Sequence, residues 1–224
     1  MGDIGAQPLR RWVAWGVVST LSLLVVAGFL GLDRAFYEHV SLRLYTENPV
    51  DRDFYALTQP LWLVFRILMA HVVGATVAYV FVGLQHREHW RAANRLLVTV
   101  GAAVIAAFVL ESVVGRLRPD QADNALAFAP LRAFTRFQDR EVCFPSGEAT
   151  MAFAMAYGLS RLVPRFAGLF YMLAALASIA RLVNGSHYLG DVAAGALLGL
   201  LCGRVVYVYV NTSGPRWLRE SQSP

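Results

Sequence analysis

The sequence predicts an all-α, polytopic membrane protein: a bundle of six transmembrane helices in a single domain over residues 1–224. Three observations predict it. Hydrophobic residues make up 57% of the chain and charged residues 16%, with a mean hydropathy of +0.48, and a soluble domain of this size carries more charge. Apolar runs recur along the chain, the first of them long enough to cross a hydrocarbon core. The polar residues between the runs gather into a few short patches.

The first run, Trp12–Leu32, is uncharged over 21 residues and is read as the first transmembrane helix. Arg10 and Arg11 would also suit a signal peptide. The run is longer than a signal core and has no clear A-x-A site, so an uncleaved helix is expected. Residues 33–60 form a polar, outer-face stretch. Within it AFYEHVSLRLY sets Phe36, Val40, Leu44 and Tyr45 near helical spacing, as in an amphipathic helix lying in the interface. Ile67–Leu84 is an 18-residue run interrupted only by His71. Leu96–Leu110, Ala149–Ser160, Phe166–Ala180 and Val192–Gly203 are shorter, and reach spanning length with their flanking polar residues. In the last of them Gly195, Gly199 and Gly203 recur every fourth residue, which permits close helix packing. The segment between Asp120 and Cys143, with Phe128, Leu131, Phe134 and Phe137, reads as a loop over the site, facing lipid substrate or packed on the bundle. There is no internal repeat and no second domain.

The formal charge is +5 and every basic residue is Arg. A basic balance in a membrane protein is met by anionic lipid headgroups and by orientation, and implies no nucleic-acid partner. Arg10 and Arg11, the Arg87/Arg91/Arg95 group, Arg161 and Arg165, and Arg204, Arg216 and Arg219 all fall on one side of a six-crossing bundle, the expected cytoplasmic side. The remaining polar patches then share the outer face. Arg132, Arg136 and Arg140 on that face keep the charge rule from deciding the matter alone. Cys143 and Cys202 are expected at different depths, hence with no disulfide, and are too few for a Cys-rich metal site.

Three patches carry chemistry. GRLRP (Gly115–Pro119) offers Arg116 and Arg118, whose guanidinium groups can fork onto phosphate oxygens or meet lipid headgroups. FPSGE (Phe144–Glu148) begins a helix: Ser146 suits an N-cap, Gly147 permits close approach to the backbone, and free N–H groups there attract an anion. Glu148 in the first turn also simply complements the helix dipole. ARLVNGSHYLGD (Ala180–Asp191) holds Arg181, His187 and Asp191. A carboxylate four residues after a histidine can fix its tautomer and free the other nitrogen as a nucleophile, and ionisable groups are costly at a membrane helix end unless used.

Together these motifs resemble the type 2 phosphatidic acid phosphatase (PAP2) family, with its K-x6-RP, PSGH and SR-x5-H-x3-D pattern. The resemblance covers roughly residues 60–210. It implies a metal-free, cofactor-free membrane enzyme acting on a phosphorylated lipid. His187 would be the nucleophile that forms a phosphohistidine, oriented by Asp191. Arg118 and Arg181 would bind the phosphoryl group with Ser146 and the Gly147 backbone, and Arg116 would help. Three positions depart from the pattern: Glu111 replaces the Lys, Glu148 replaces the His that protonates the leaving group, and Ala180 replaces the Ser before Arg181. The acidic Glu148 is similar to the lipid A 4′-phosphatase branch, and would serve as the general acid if it holds a proton, with Glu111 as a modulator. The resemblance implies a bacterial inner-membrane protein with its site facing the periplasm. Its substrate would be a lipid A-type glycolipid, a polyprenyl diphosphate or phosphatidylglycerol phosphate. A lipid-to-lipid phosphotransferase and a catalytically inactive membrane binding protein remain alternatives. Oligomeric state is not legible.

Overall fold

In a computed structural model the described residues are 6–38, 73, 76–77, 79–80, 82–83, 85–119, 121, 124–131, 142–183 and 185–214. The described residues are all-helical, with two isolated bridges and no strand. The helices are α1 (Ala6–Ala27), a π-helical segment (Gly28–Leu32) running into α2 (Asp33–Phe36), α3 (Arg87–Val114), α4 (Gly147–Leu162), α5 (Ala167–Val183) and α6 (Leu189–Thr212). A short 3-10 turn, Pro164–Phe166, joins α4 to α5.

Among the described residues, four helices are long and apolar enough to cross a membrane: Trp15–Phe36, His89–Val114, Pro164–Val183 and Leu189–Thr212. Their outward residues are apolar, among them Leu30, Ile105, Val113, Leu201 and Val205. Such a surface is costly in water and suits lipid. α4 has 16 residues, about 24 Å at the helical rise, and packs against α6, α5 and α3. Most of the expected second helix, residues 67–84, lies outside the described residues, though positions 73, 76–77, 79–80 and 82–83 are helical.

Two expected boundaries are corrected. The link HREHWRAANR is mostly helix: α3 begins at Arg87, not at Leu96. Arg, Glu, Ala and Leu are good helix formers, so charge there marks where the membrane ends, not where the helix ends. The first helix also does not stop at Leu32. Gly31, at φ +119°, takes a conformation open chiefly to glycine, and the helix bends there and continues through Asp33–Phe36. The rest of the expected interfacial stretch, residues 39–60, lies outside the described residues.

The glycine run explains how α6 lies on α4. A Cβ at Gly195 would fall 2.5 Å from the Ser146 carbonyl oxygen, and one at Gly199 would strike the Thr150 carbonyl. The backbones therefore touch, and the N-terminus of α4 is held beside the N-terminus of α6. The Ser146 N–H donates to the Asp191 carbonyl at 3.0 Å, fixing the register of the two helix starts.

Candidate active site

The site forms where the ends of four helices converge. α3 closes at Gly115 (φ +63°), whose N–H caps the Glu111 carbonyl at 2.9 Å. The chain then turns across the helix ends, bridged at Arg116 to Phe128 and at Leu117 to Val142, and the Cys143 N–H donates to the Arg116 carbonyl at 2.8 Å. This brings the GRLRP and FPSGE patches side by side. Ser146 caps α4, its Oγ accepting from the Ala149 N–H at 3.4 Å. A Cβ at Gly147 would meet nothing within 4 Å, so the backbone there is open to approach.

His187 stands in the turn between α5 and α6, 5% exposed. Its Nδ1 lies 3.0 Å from the Cys143 carbonyl oxygen and 4.0 Å from Asp191 Oδ2. A carbonyl can only accept, so Nδ1 carries the proton and Nε2 keeps its lone pair. Burial pushes the His187 pKa down to about 3; the nearby charge of Arg118 adds to this, the Cys143 carbonyl opposes it, and Arg181 adds a little more. A neutral imidazole within electrostatic reach of two guanidinium groups has the chemistry of a nucleophile next to positive charge. Arg118, half-buried, also donates from Nε to the Val142 carbonyl at 3.3 Å. Arg181, in the last turn of α5, forms an ion pair with Glu148.

Asp191 is completely buried. Its Oδ2 accepts from the Tyr188 N–H at 2.9 Å, which caps α6. Its Oδ1 accepts from Arg116 Nη1 at 2.7 Å. The sequence had placed Arg116 among the phosphate ligands. The structure places it inside, with no exposed surface. Its Nε donates to the Ala125 carbonyl at 2.8 Å, and its guanidinium lies between the Phe29 and Tyr188 rings at 4.7 and 4.3 Å. The same Nη1 lies 2.9 Å from Asp33 Oδ2. Burial works against the Arg116 charge, but Asp191 and Asp33 outweigh it and hold the pKa above its ordinary value. Glu111 stands one turn before Gly115, within electrostatic reach of Arg118 and Asp191.

Asp33 lies outside the three polar patches and joins the site only through the fold. It is fully buried, pairs with Arg116, and accepts from the Gly190 N–H at 2.7 Å. The available signal was a carboxylate at the end of a long apolar run, a position where a charge is costly unless paired.

Among the described residues, one set of side chains has metal-ligand proximity: Cys143, His187 and Asp191, whose ligand atoms lie within 4.8 Å of one another. Their surroundings favour an anion. Asp191 is already held by Arg116, burial pushes the Cys143 thiol well up and away from the thiolate a metal needs, and the positive charges of Arg118 and Arg181 reach His187.

Comparison with known proteins matches residues 92–215, more than half of the chain, to the PAP2 superfamily. The chain belongs to that superfamily. It is 34% identical over 116 residues to the bacitracin transport permease protein BcrC of Bacillus licheniformis, covering 51% of this chain and 56% of that one. It is 32% identical over 106 residues to a lipid A 1-phosphatase of Rhizobium johnstonii, covering 46% and 42%. These matches span about half the length of either relative. A lipid A 4′-phosphatase of Bacteroides thetaiotaomicron is 30% identical over 157 residues, 67% of this chain and 68% of that one. The PAP2-type phosphatidylglycerolphosphate phosphatase of Bacillus subtilis shares the fold, with a TM-score of 0.56 at 20% identity over 90% of this chain and 96% of that chain.

Proposed function

We propose that this PAP2 protein is a membrane lipid phosphatase working through a phosphohistidine. The observation that carries the reading is the buried, Nδ1-protonated His187, within electrostatic reach of Arg118 and Arg181 near the open N-terminus of α4. Phosphate oxygens would be held by Arg118, Arg181 and the backbone at Ser146 and Gly147. His187 Nε2 attacks phosphorus and the bond to the lipid oxygen breaks. Glu148 gives that oxygen a proton as it leaves. Water then attacks the phosphohistidine as its proton passes to the Glu148 carboxylate, the P–N bond breaks, and His187 and inorganic phosphate are released. Asp191 stabilises the cationic imidazole in between. No step calls for a metal or cofactor.

The substrate class is a phosphorylated membrane lipid. Lipid A-type glycolipid comes first, supported by the two relatives named for lipid A phosphatase activity; polyprenyl diphosphate and phosphatidylglycerol phosphate follow. The setting we propose is a bacterial inner membrane, with six crossings and the site on the periplasmic face. Two crossings beyond the four long apolar helices would come from α4 and from the helical positions near residues 73–85. Phosphate release from a panel of these lipids, parent against His187→Ala, tests the reading. Turnover confined to the parent, with labelled phosphate trapped on His187, is expected; equal turnover by the Ala variant would sink the assignment.

A further inference from the structure

Two carboxylates and one guanidinium lie together with no exposed surface: Asp33, Arg116 and Asp191. Arg116 Nη1 reaches both carboxylates, Asp191 Oδ1 at 2.7 Å and Asp33 Oδ2 at 2.9 Å. We propose that Asp33, carried by the first helix, is a positioning residue for the reaction: it shares Arg116 with Asp191, and so leaves Asp191 a net negative charge to give to His187. The inference rests on the phosphatase reading above. Asp33 lies outside residues 92–215, the part matched to the superfamily.

The charge count motivates it. Arg116 alone against Asp191 would make a neutral buried pair, and a neutral pair offers little to a cation. With Asp33 present, the three groups carry one positive and two negative charges. One negative charge is then balanced only when His187 becomes cationic, which happens as its Nε2 bonds to phosphorus. Asp191 Oδ2, 4.0 Å from His187 Nδ1, is the group through which that charge acts. Placement is equally specific. The Asp33 carboxylate sits in a niche that two glycines leave open, since a Cβ at Gly28 would lie 2.7 Å from both its oxygens and one at Gly190 would lie 2.8 Å from Oδ2. The Gly190 N–H holds Oδ1 at 2.7 Å, and Phe36 packs with Leu189 against Ala149, Leu182 and Val192. Asp33 is thereby fixed to the first turn of the helix that carries Asp191.

Asp33→Asn keeps the shape and can still accept from Gly190, but removes the charge. Purified full-length protein in detergent would be assayed on each lipid of the panel above in mixed micelles, with thermal unfolding followed alongside. Outer partners that orient metal ligands typically contribute about 10–100-fold, and Asp33 stands in the same relation to Asp191 as such a partner does to its ligand. The expected result is kcat lower by about that factor with KM within about threefold, because phosphate binding does not involve Asp33. A merely structural role would not produce this split. Gly28→Ala, which displaces the carboxylate without touching the site, should lower kcat the same way, and it decides the question if Asp33→Asn does not fold. Unchanged kcat in the folded variants, a rise in KM alone, or loss of fold in both would overturn the proposal while leaving an active parent's phosphatase reading intact. An inactive parent would overturn both.

Discussion

The Nδ1 of His187 lies 3.0 Å from the carbonyl oxygen of Cys143. The nearer Asp191 carboxylate oxygen is a further ångström away, at 4.0 Å. The resting tautomer is thus set by a backbone carbonyl, which cannot be mutated away or titrated. The carboxylate stands behind it, placed to act on the charged histidine. The arrangement favours a neutral imidazole at rest.

That neutrality makes stability depend on pH. An unfolded histidine titrates near 6.5, and His187 in the folded chain only near about 3. Between these values the unfolded state binds a proton that the folded state refuses. His187 therefore costs no stability above about pH 6.5, and stability is lost as pH falls from there towards 3. One such group contributes at most about 1.4 kcal/mol per pH unit. His187→Gln should flatten the slope of unfolding free energy against pH in that window. An identical slope in parent and variant would mean the imidazole protonates freely in the folded protein. The same depression predicts no histidine-like limb near pH 6.5 in kcat/KM, read from a pH–rate profile.

Close packing of α6 on α4 gives a second prediction. Gly195→Ala puts a methyl group 2.5 Å from the Ser146 carbonyl and 3.0 Å from the Ala149 Cβ. Overpacking of this kind typically costs about 1–3 kcal/mol, and here it also pushes the α4 N-terminus away from His187. Thermal unfolding should fall and KM for a phosphorylated lipid should rise. Gly101→Ala, where a Cβ meets nothing within 4 Å, is the control and should change neither.

The residues of the R-x5-H-x3-D pattern were legible because their spacing is local: one turn of chain and one helix start carry Arg181, His187 and Asp191. Arg116 was not, because its place is decided by groups far away in sequence. Its partner Asp33 is brought in by a helix bend at Gly31, and the contact that fixes Asp33, to Gly190, spans 157 positions. Sequence alone presents Arg116 and Arg118 as equals, and only packing separates the buried one from the one near His187. The helix ends were misjudged for a related reason: a polar residue halts an apolar run without halting the hydrogen-bonded helix, as Asp33 and Arg87 both show.

Orientation gives a third prediction. Leu126, exposed in the segment between α3 and α4, and Gln85, just before α3, should lie on opposite sides of the membrane. With Cys143 replaced, Leu126→Cys should react with an impermeant thiol reagent in intact spheroplasts and Gln85→Cys should not. The reverse labelling would turn the site to the cytoplasm.

The last prediction concerns Glu148, which stands where the family pattern has its acid histidine. Its side chain is 55% exposed and paired with Arg181. The ion pair as it stands keeps Arg181, a guanidinium proposed to bind phosphate, engaged with Glu148. A phosphate entering the site would compete for Arg181 and release Glu148 beside the anion, where a protonated carboxyl is favoured over a second negative charge. On this account Glu148 becomes an acid only once substrate is bound. Glu148→Gln keeps the size, removes the negative charge beside Arg181 and cannot deliver a proton. It should bind phosphate at least as tightly as the parent and still form the phosphohistidine from an aryl phosphate, whose leaving group needs little help. Turnover of a lipid phosphate, with its alkoxide leaving group, should fall by about 10²–10⁴-fold, the usual contribution of general acid catalysis. If Glu148 only complements the helix dipole, its loss costs about 0.3–1 kcal/mol of stability and spares both substrates. Equal loss on the aryl and lipid substrates would rule out the acid role, because only the lipid substrate depends on the proton.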